Sequence, residues 1–182
     1  MTTPNRLLSQ LASYATYHRD SRNIATHFVG VPMIVFAVTS LLSRPGFELF
    51  GLHLSPVWFV ALAACVFYLR LELRFGLVMS ALLGVSAYGA SLLAAQSTAL
   101  WLGGSLGLFG LGWVIQLVGH AWEGRKPAFV DDLVGLLVSP LFVTAEVAFA
   151  LGLRLELKAR IEALAGPTRQ GKALGGSSIA GV

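Results

Sequence analysis

Apolar residues along this chain come in long blocks, neither alternating nor confined to one helical stripe. Residues 75–119 contain no Asp, Glu, Lys, Arg or His. That run is long enough for two helices of about 20 residues, the length that crosses a hydrocarbon core about 30 Å thick. Gln96-Ser97-Thr98 is the polar point at which such a pair would turn. Residues 24–43, interrupted only by His27, predict a further span, and residues 49–69, between Glu48 and Arg70, predict another. A fifth apolar segment, 133–153, contains Pro140 and Glu146. Proline removes a helix hydrogen bond, so the segment is expected to break there, with a helix from about Pro140 to Ala165 that Gly166-Pro167 stops.

At the chain ends the pattern turns amphipathic. Leu7, Leu8, Leu11, Tyr14 and Ala15 keep helical spacing behind Thr3 as a cap and Pro4 in the first turn. Residues 154–164 alternate charge with Leu155, Leu157, Ile161 and Leu164, as a helix lying on a membrane surface would. The expected fold is an all-α integral membrane bundle of four full spans, a Pro-broken fifth element and interfacial terminal helices. It forms one domain over residues 1–165, and the Gly- and Ser-rich residues 166–182 read as a flexible tail.

Composition agrees. Of 182 residues 55% are hydrophobic and 12% charged, with a mean hydropathy of +0.73, whereas soluble domains carry about 25% charged residues. A disordered chain is excluded, as is a disulfide-stapled one, because Cys65 has no second cysteine to pair with. The net charge of +4 comes from Lys and Arg at the ends of apolar runs rather than clustered with aromatics, so it points to a membrane surface and not to nucleic acid. The first twenty residues hold no apolar core of a cleavable signal. If the fifth segment dips in and returns, every Lys and Arg except Arg44 falls on one side; the positive-inside rule then puts both termini in the cytoplasm. The Ala, Leu and Gly bias favours a bacterial inner membrane over the endoplasmic reticulum.

Two patterns resemble catalytic motifs without their context. Gly103-Gly104-Ser105-Leu106-Gly107 fits a serine-nucleophile spacing, but it lies in an apolar run where small residues let helices approach. His18-Arg19-Asp20 with Asn23 lacks the glycine-rich loop and lysine of a kinase.

Ionisable groups at membrane depth are costly, which makes them functional candidates. The topology puts His18, His27, His120 and Glu123 at the same ends of spans and His53 at the opposite end. Trp113, Gln116, His120 and Glu123 form one helical stripe ended by Gly124, and Asn23 shares a face with His27. On one straight helix His18 and His27 would lie about 180° and 13.5 Å apart. They converge only if the chain breaks between them, and Asp20 and Ser21 are natural caps for such a break. Three imidazoles at one depth suit iron, zinc or copper, with Asn23 and Gln116 orienting them. Glu146 would lie deeper, as a ligand or a base. The alternatives are a haem-binding protein and a non-enzymatic lipid-binding protein in which the polar stripe only joins helices.

The segments Tyr17-His18-Arg19-Asp20-Ser21-Arg22-Asn23 and Thr26-His27-Phe28-Val29-Gly30-Val31-Pro32 are followed by Gln116, Gly119-His120, Glu123-Gly124-Arg125-Lys126-Pro127-Ala128 and Pro140-Leu141-Phe142-Val143 to Glu146. Together, over residues 5–160, they resemble the Mpo-like family of small membrane proteins. The resemblance implies an iron(II)-dependent dioxygenase that uses O2 to shorten a 2-hydroxy fatty acid by one carbon, releasing CO2. It implies His18, His27 and His120 as iron ligands, with Glu123 or Glu146 as a further ligand or base. Arg19, Arg22, Arg125 or Lys126 would hold the substrate carboxylate. The acyl chain, surrounded by membrane lipid, is expected in a slot made by Gly84, Gly103, Gly107 and Gly110.

Overall fold

In the computed structural model, which describes residues 6–170, the apolar blocks are helical. Their order is α1 (Arg6–Ala15), α2 (Ser21–Ser43), a hairpin of β1 (Phe47–Leu49) and β2 (Leu52–Leu54), α3 (Pro56–Leu71), α4 (Leu73–Ala94), α5 (Thr98–Glu123), a 3-10 turn (Ala128–Val130), α6 (Gly135–Ala150) and α7 (Leu155–Ala165). This is the expected all-α membrane bundle. Helices α2, α4 and α5 are long and apolar enough to cross a membrane, and α3 and α6 are shorter apolar helices of 16 residues.

Local chemistry sets most boundaries. Ser97 caps α5 at the expected polar turn, its hydroxyl accepting from the Leu100 amide. The span expected over 49–69 loses its first residues to the hairpin, because Phe50 and Gly51 take φ of 52° and 74°. Two consecutive left-handed residues make the tight turn whose twist suits antiparallel strands. Helix α3 then starts at Pro56, a position where the missing N–H costs nothing.

The fifth segment breaks in a different place from the one its proline suggests. Pro140 lies inside α6, and the chain turns instead at 151–154, where Gly152 and Arg154 are left-handed. A single lost hydrogen bond near the start of a packed helix is tolerated, whereas the left-handed pair ends the helix. Helix α7 is therefore a separate element.

The main core lies at one end of the bundle. Leu7, Leu11, Val138, Leu141, Phe142 and Ile161 are buried together, so the stripe of α1 is spent on α6 and α7. Thr3 and Pro4 fall outside the described residues. The outer faces of α3, α4 and α5 leave large apolar side chains such as Val85 and Leu100 exposed, a surface suited to lipid.

Helices α2 and α5 form the tightest seam. A Cβ on Gly30 would stand 2.8 Å from Gln116 Cγ, and one on Gly112 would stand 2.8 Å from Ile34 Cγ1. Ser105 donates to Ser40 across the same seam at 2.9 Å, which makes it helix glue rather than a nucleophile. By contrast, Gly84, Gly103, Gly107 and Gly110 face open space, with nothing within 4 Å of a Cβ. They build no slot, because no neighbouring helix packs on their faces.

Candidate metal centre

The site is assembled where α1 hands over to α2. Helix α1 ends in tight turns, with the Tyr17 and His18 amides bonded to the carbonyls of Tyr14 and Ala15. Asp20 then takes an extended conformation and caps α2 by accepting from the Arg22 amide. That break lets His18 fold back towards His27 on the first turns of α2. His120 reaches the same point from the last turn of α5, which Gly124 ends in the left-handed conformation.

All three histidines are buried, and their candidate ligand atoms lie within 4.8 Å of one another. Ring centroids are separated by 4.5 Å (His18–His27), 4.9 Å (His18–His120) and 5.2 Å (His27–His120). Among the described residues this is the group of His, Cys, Asp and Glu side chains placed to hold a metal ion. Glu123 and Glu146 lie outside it, and His53 belongs to β2, paired with Glu48.

The hydrogen bonds fix the ring chemistry. His18 Nδ1 donates to the Tyr14 carbonyl and His27 Nδ1 donates to the Asn23 carbonyl, each at 2.9 Å. A carbonyl only accepts, so each of these nitrogens carries the proton and each neutral ring presents a bare Nε2. The two Nε2 atoms face each other at 3.1 Å. Two lone pairs at that distance in a buried site call for a cation between them. His120 Nδ1, buried and without a hydrogen-bond partner, is a third unspent nitrogen. Burial, then the nearness of His27, holds the His18 imidazole well below its usual pKa, so it stays neutral and able to ligate. The donor set therefore fits a transition-metal ion. It does not fit haem, because rings this close leave no room for a macrocycle.

Tyr14 stacks on His18 with centroids 4.2 Å apart and planes 8° from parallel, and its hydroxyl donates to Ser139 Oγ at 2.8 Å. Phe142 closes the wall against both rings. Tyr14 lies one turn before His18, a spacing that could have marked it as a support; Ser139 carries no comparable sequence signal.

Glu123 is spent on the backbone. Its Oε2 accepts from the amides of Arg19 (3.0 Å) and Asp20 (2.7 Å) and from Asn23 Nδ2 (3.3 Å). Its Oε1 accepts from Arg169 Nη2 at 2.6 Å. Asn23 supports His27 through its carbonyl rather than its amide. Glu146 is half-buried on α6.

Each of the four basic candidates has partners elsewhere, although Arg19 Nη2 is buried without one. Arg19 donates to the carbonyls of Ala15, His18 and Gly166, Arg22 pairs with Asp20, Arg125 donates to the Thr16 carbonyl, and Lys126 pairs with Asp131. None of them lines the narrow cleft of about 50 Å³ that adjoins His120. The polar side chains that do line it are Tyr14, Gln116, His120 and Ser139, with Trp113 on the apolar side.

Residues 5–151 match a family model described as 2-hydroxy-palmitic acid dioxygenase Mpo1-like. The chain is 35% identical over 158 residues to the 2-hydroxy-palmitic acid dioxygenase MPO1 of Saccharomyces cerevisiae, covering 86% of this chain and 87% of that one. No solved structure matches it.

Proposed function

The chain belongs to the Mpo1-like family, and from that premise we propose that it is an iron(II)-dependent dioxygenase of the membrane. It converts a 2-hydroxy fatty acid and O2 into the fatty acid one carbon shorter, CO2 and water. Atoms and electrons balance in that reaction without an external reductant. The observation that carries the reading is the pair of bare Nε2 atoms of His18 and His27, 3.1 Å apart, whose other nitrogens are both committed to carbonyls.

His18, His27 and His120 would hold the iron. When bound, it supplies open coordination positions and redox chemistry for the hydroxy acid and O2. The protein does the rest. Tyr14 and Phe142 exclude water from the ring of His18, and the carbonyls of Tyr14 and Asn23 keep the Nδ1 protons in place. Gln116 and Ser139, on the cleft beside His120, orient the polar end of the substrate. Arg19, Arg22, Arg125 and Lys126, which lie outside the lining of the cleft, act on that end as a positive field rather than as contacts. With a fifth segment that dips in and returns, the positive-inside count favours a site at the cytoplasmic face and both termini in the cytoplasm, and the composition favours a bacterial inner membrane.

Protein purified in detergent is expected to hold about one iron per chain and to consume 2-hydroxypalmitate together with O2. A His27→Ala, His120→Ala double variant that keeps both iron and turnover would overturn the proposal.

A further inference from the structure

Two open spaces meet inside the bundle. The cleft at His120 and a larger groove of about 630 Å³ between α2, α4 and α6 share Val31, Val35 and Pro140. The groove runs beside α2 from Phe28 to Phe36, about 12 Å of helix. Its lining is apolar except for two hydroxyls, both already bonded. Ser86 donates to Thr39 Oγ1, and Thr144 donates its one proton to the Pro140 carbonyl, with Met79 Sδ as the alternative acceptor. Along α4, Val78, Leu82 and Val85 are 48%, 50% and 72% exposed, so this wall opens sideways on the lipid-facing surface.

Polarity along the joined spaces changes in one direction. Beyond the neck at Val31, Val35 and Pro140 come Tyr14, Gln116, His120 and Ser139; on the near side the polar side chains are Ser86 and Thr144, whose hydroxyl protons are already given to the protein. An amphiphile with a single long tail and a small polar end matches that order. A phospholipid head group is too bulky for a cleft of about 50 Å³.

We propose that the α2–α4–α6 groove is the acyl-chain site, and that the 2-hydroxy fatty acid reaches the histidines sideways from the bilayer past Val31, Val35 and Pro140. The assignment rests on the dioxygenase reading above. It makes the groove the part of the protein that measures chain length.

The test uses the full chain in nanodiscs of phosphatidylcholine and a 2-hydroxypalmitate carrying a diazirine at its tail end. Irradiation is expected to label α4 and α6 at residues such as Val78, Leu82 and Val143, with or without iron. Excess unlabelled 2-hydroxypalmitate is expected to suppress the labelling, and added phosphatidylcholine is not. Leu82→Trp, a change on the half-exposed wall that leaves the core alone, is expected to lower the ratio of kcat/KM for 2-hydroxypalmitate over a four-carbon 2-hydroxy acid by about tenfold. Val35→Phe at the neck is expected to do the same, and Leu100→Trp on the outer face of α5 to leave the ratio where it was. Label on the outer faces of α3 or α5, displacement by phosphatidylcholine, or an unmoved ratio in Leu82→Trp overturns the groove assignment. If wild-type protein turns over 2-hydroxypalmitate while the label lies elsewhere, only the groove falls. If it neither labels nor turns over any 2-hydroxy acid, the dioxygenase reading falls and the groove with it.

Discussion

Glu123 Oε1 accepts a 2.6 Å hydrogen bond from the Arg169 guanidinium, while the other oxygen of the same carboxylate holds the amides of Arg19 and Asp20. The residues from Gly166 to Arg169 are sewn to that turn a second time: the Arg169 amide donates to the Arg19 carbonyl, the Ser21 amide donates to the Arg169 carbonyl, and Arg19 donates to the Gly166 carbonyl. His18 is the neighbour of the residues so fixed. The first residues after α7 are thus docked, and residues 171–182 of the expected tail lie outside the described residues.

Glu123→Gln is expected to weaken metal binding by about 10–100-fold, the usual cost of losing a partner that orients a ligand. The amide has only one accepting oxygen, so either the turn or Arg169 loses its bond. Titration against a chelator measures the loss, and unchanged helicity by circular dichroism separates it from unfolding. Arg169→Ala removes a side chain that is 62% exposed, so water can reach the Glu123 oxygen it leaves, while Oε2 of that buried carboxylate keeps the Arg19 and Asp20 amides. A change of no more than a few-fold is expected there, with Arg169→Lys close to wild type.

Tyr14→Phe keeps the ring that stacks on His18 and removes only the hydroxyl bonded to Ser139. Leaving a buried Ser139 without that partner costs about 1–3 kcal/mol. Thermal unfolding in detergent should register the loss, while the iron content of the folded protein is expected to stay at the wild-type level. A large loss of iron without loss of stability would mean that the hydroxyl acts on the metal centre directly.

Acid is expected to weaken the protein through His18. Its folded pKa lies well below the ordinary value, chiefly because the ring is buried. The unfolded chain therefore binds a proton that the fold refuses once pH falls below about 6.5. Stability contributed by the neutral ring is fully present above that pH and declines on acidification. Metal binding, which needs the same bare nitrogen, declines in the same direction. Denaturation midpoints at pH 7.5 and pH 5.5 check the first effect, and in His18→Phe the gap between them is expected to narrow.

What the sequence discloses about this site is its local part. Asp20 as a cap, Gly124 as a stop and the spacing of Gln116, His120 and Glu123 depend on neighbours within a turn or two, so they are legible from residue order. The use made of the Glu123 carboxylate is not: its partners come from the α1–α2 turn about a hundred residues earlier and from Arg169, 46 residues later. Pro140 misleads for a related reason, since the tolerance of a proline depends on where the helix begins and on what packs around it. Glycines are the hardest case. Gly107 and Gly119 look alike in an apolar run, and only the neighbouring helix decides which one is at a seam.

That difference supports a paired test. A Cβ on Gly119 would clash with the Thr26 hydroxyl and stand 2.5 Å from Asn23 Oδ1 and 3.2 Å from Asn23 Cα. Backbone cannot yield as a flexible side chain does, so Gly119→Ala forces α5 away from α2 and is expected to cost about 1–3 kcal/mol. The same movement separates His120, the next residue, from His27, four residues beyond Asn23, so metal affinity is expected to fall along with stability. Gly107→Ala, with nothing within 4 Å of the new methyl, is expected to be neutral or slightly stabilising, because alanine favours the helix by up to about 1 kcal/mol over glycine. Thermal melts and metal titrations on the two variants decide the matter. Equal behaviour of the pair would mean that the α2–α5 seam is looser than the geometry of Gly119 implies, and that the histidines are held together by something other than the close approach of these two helices.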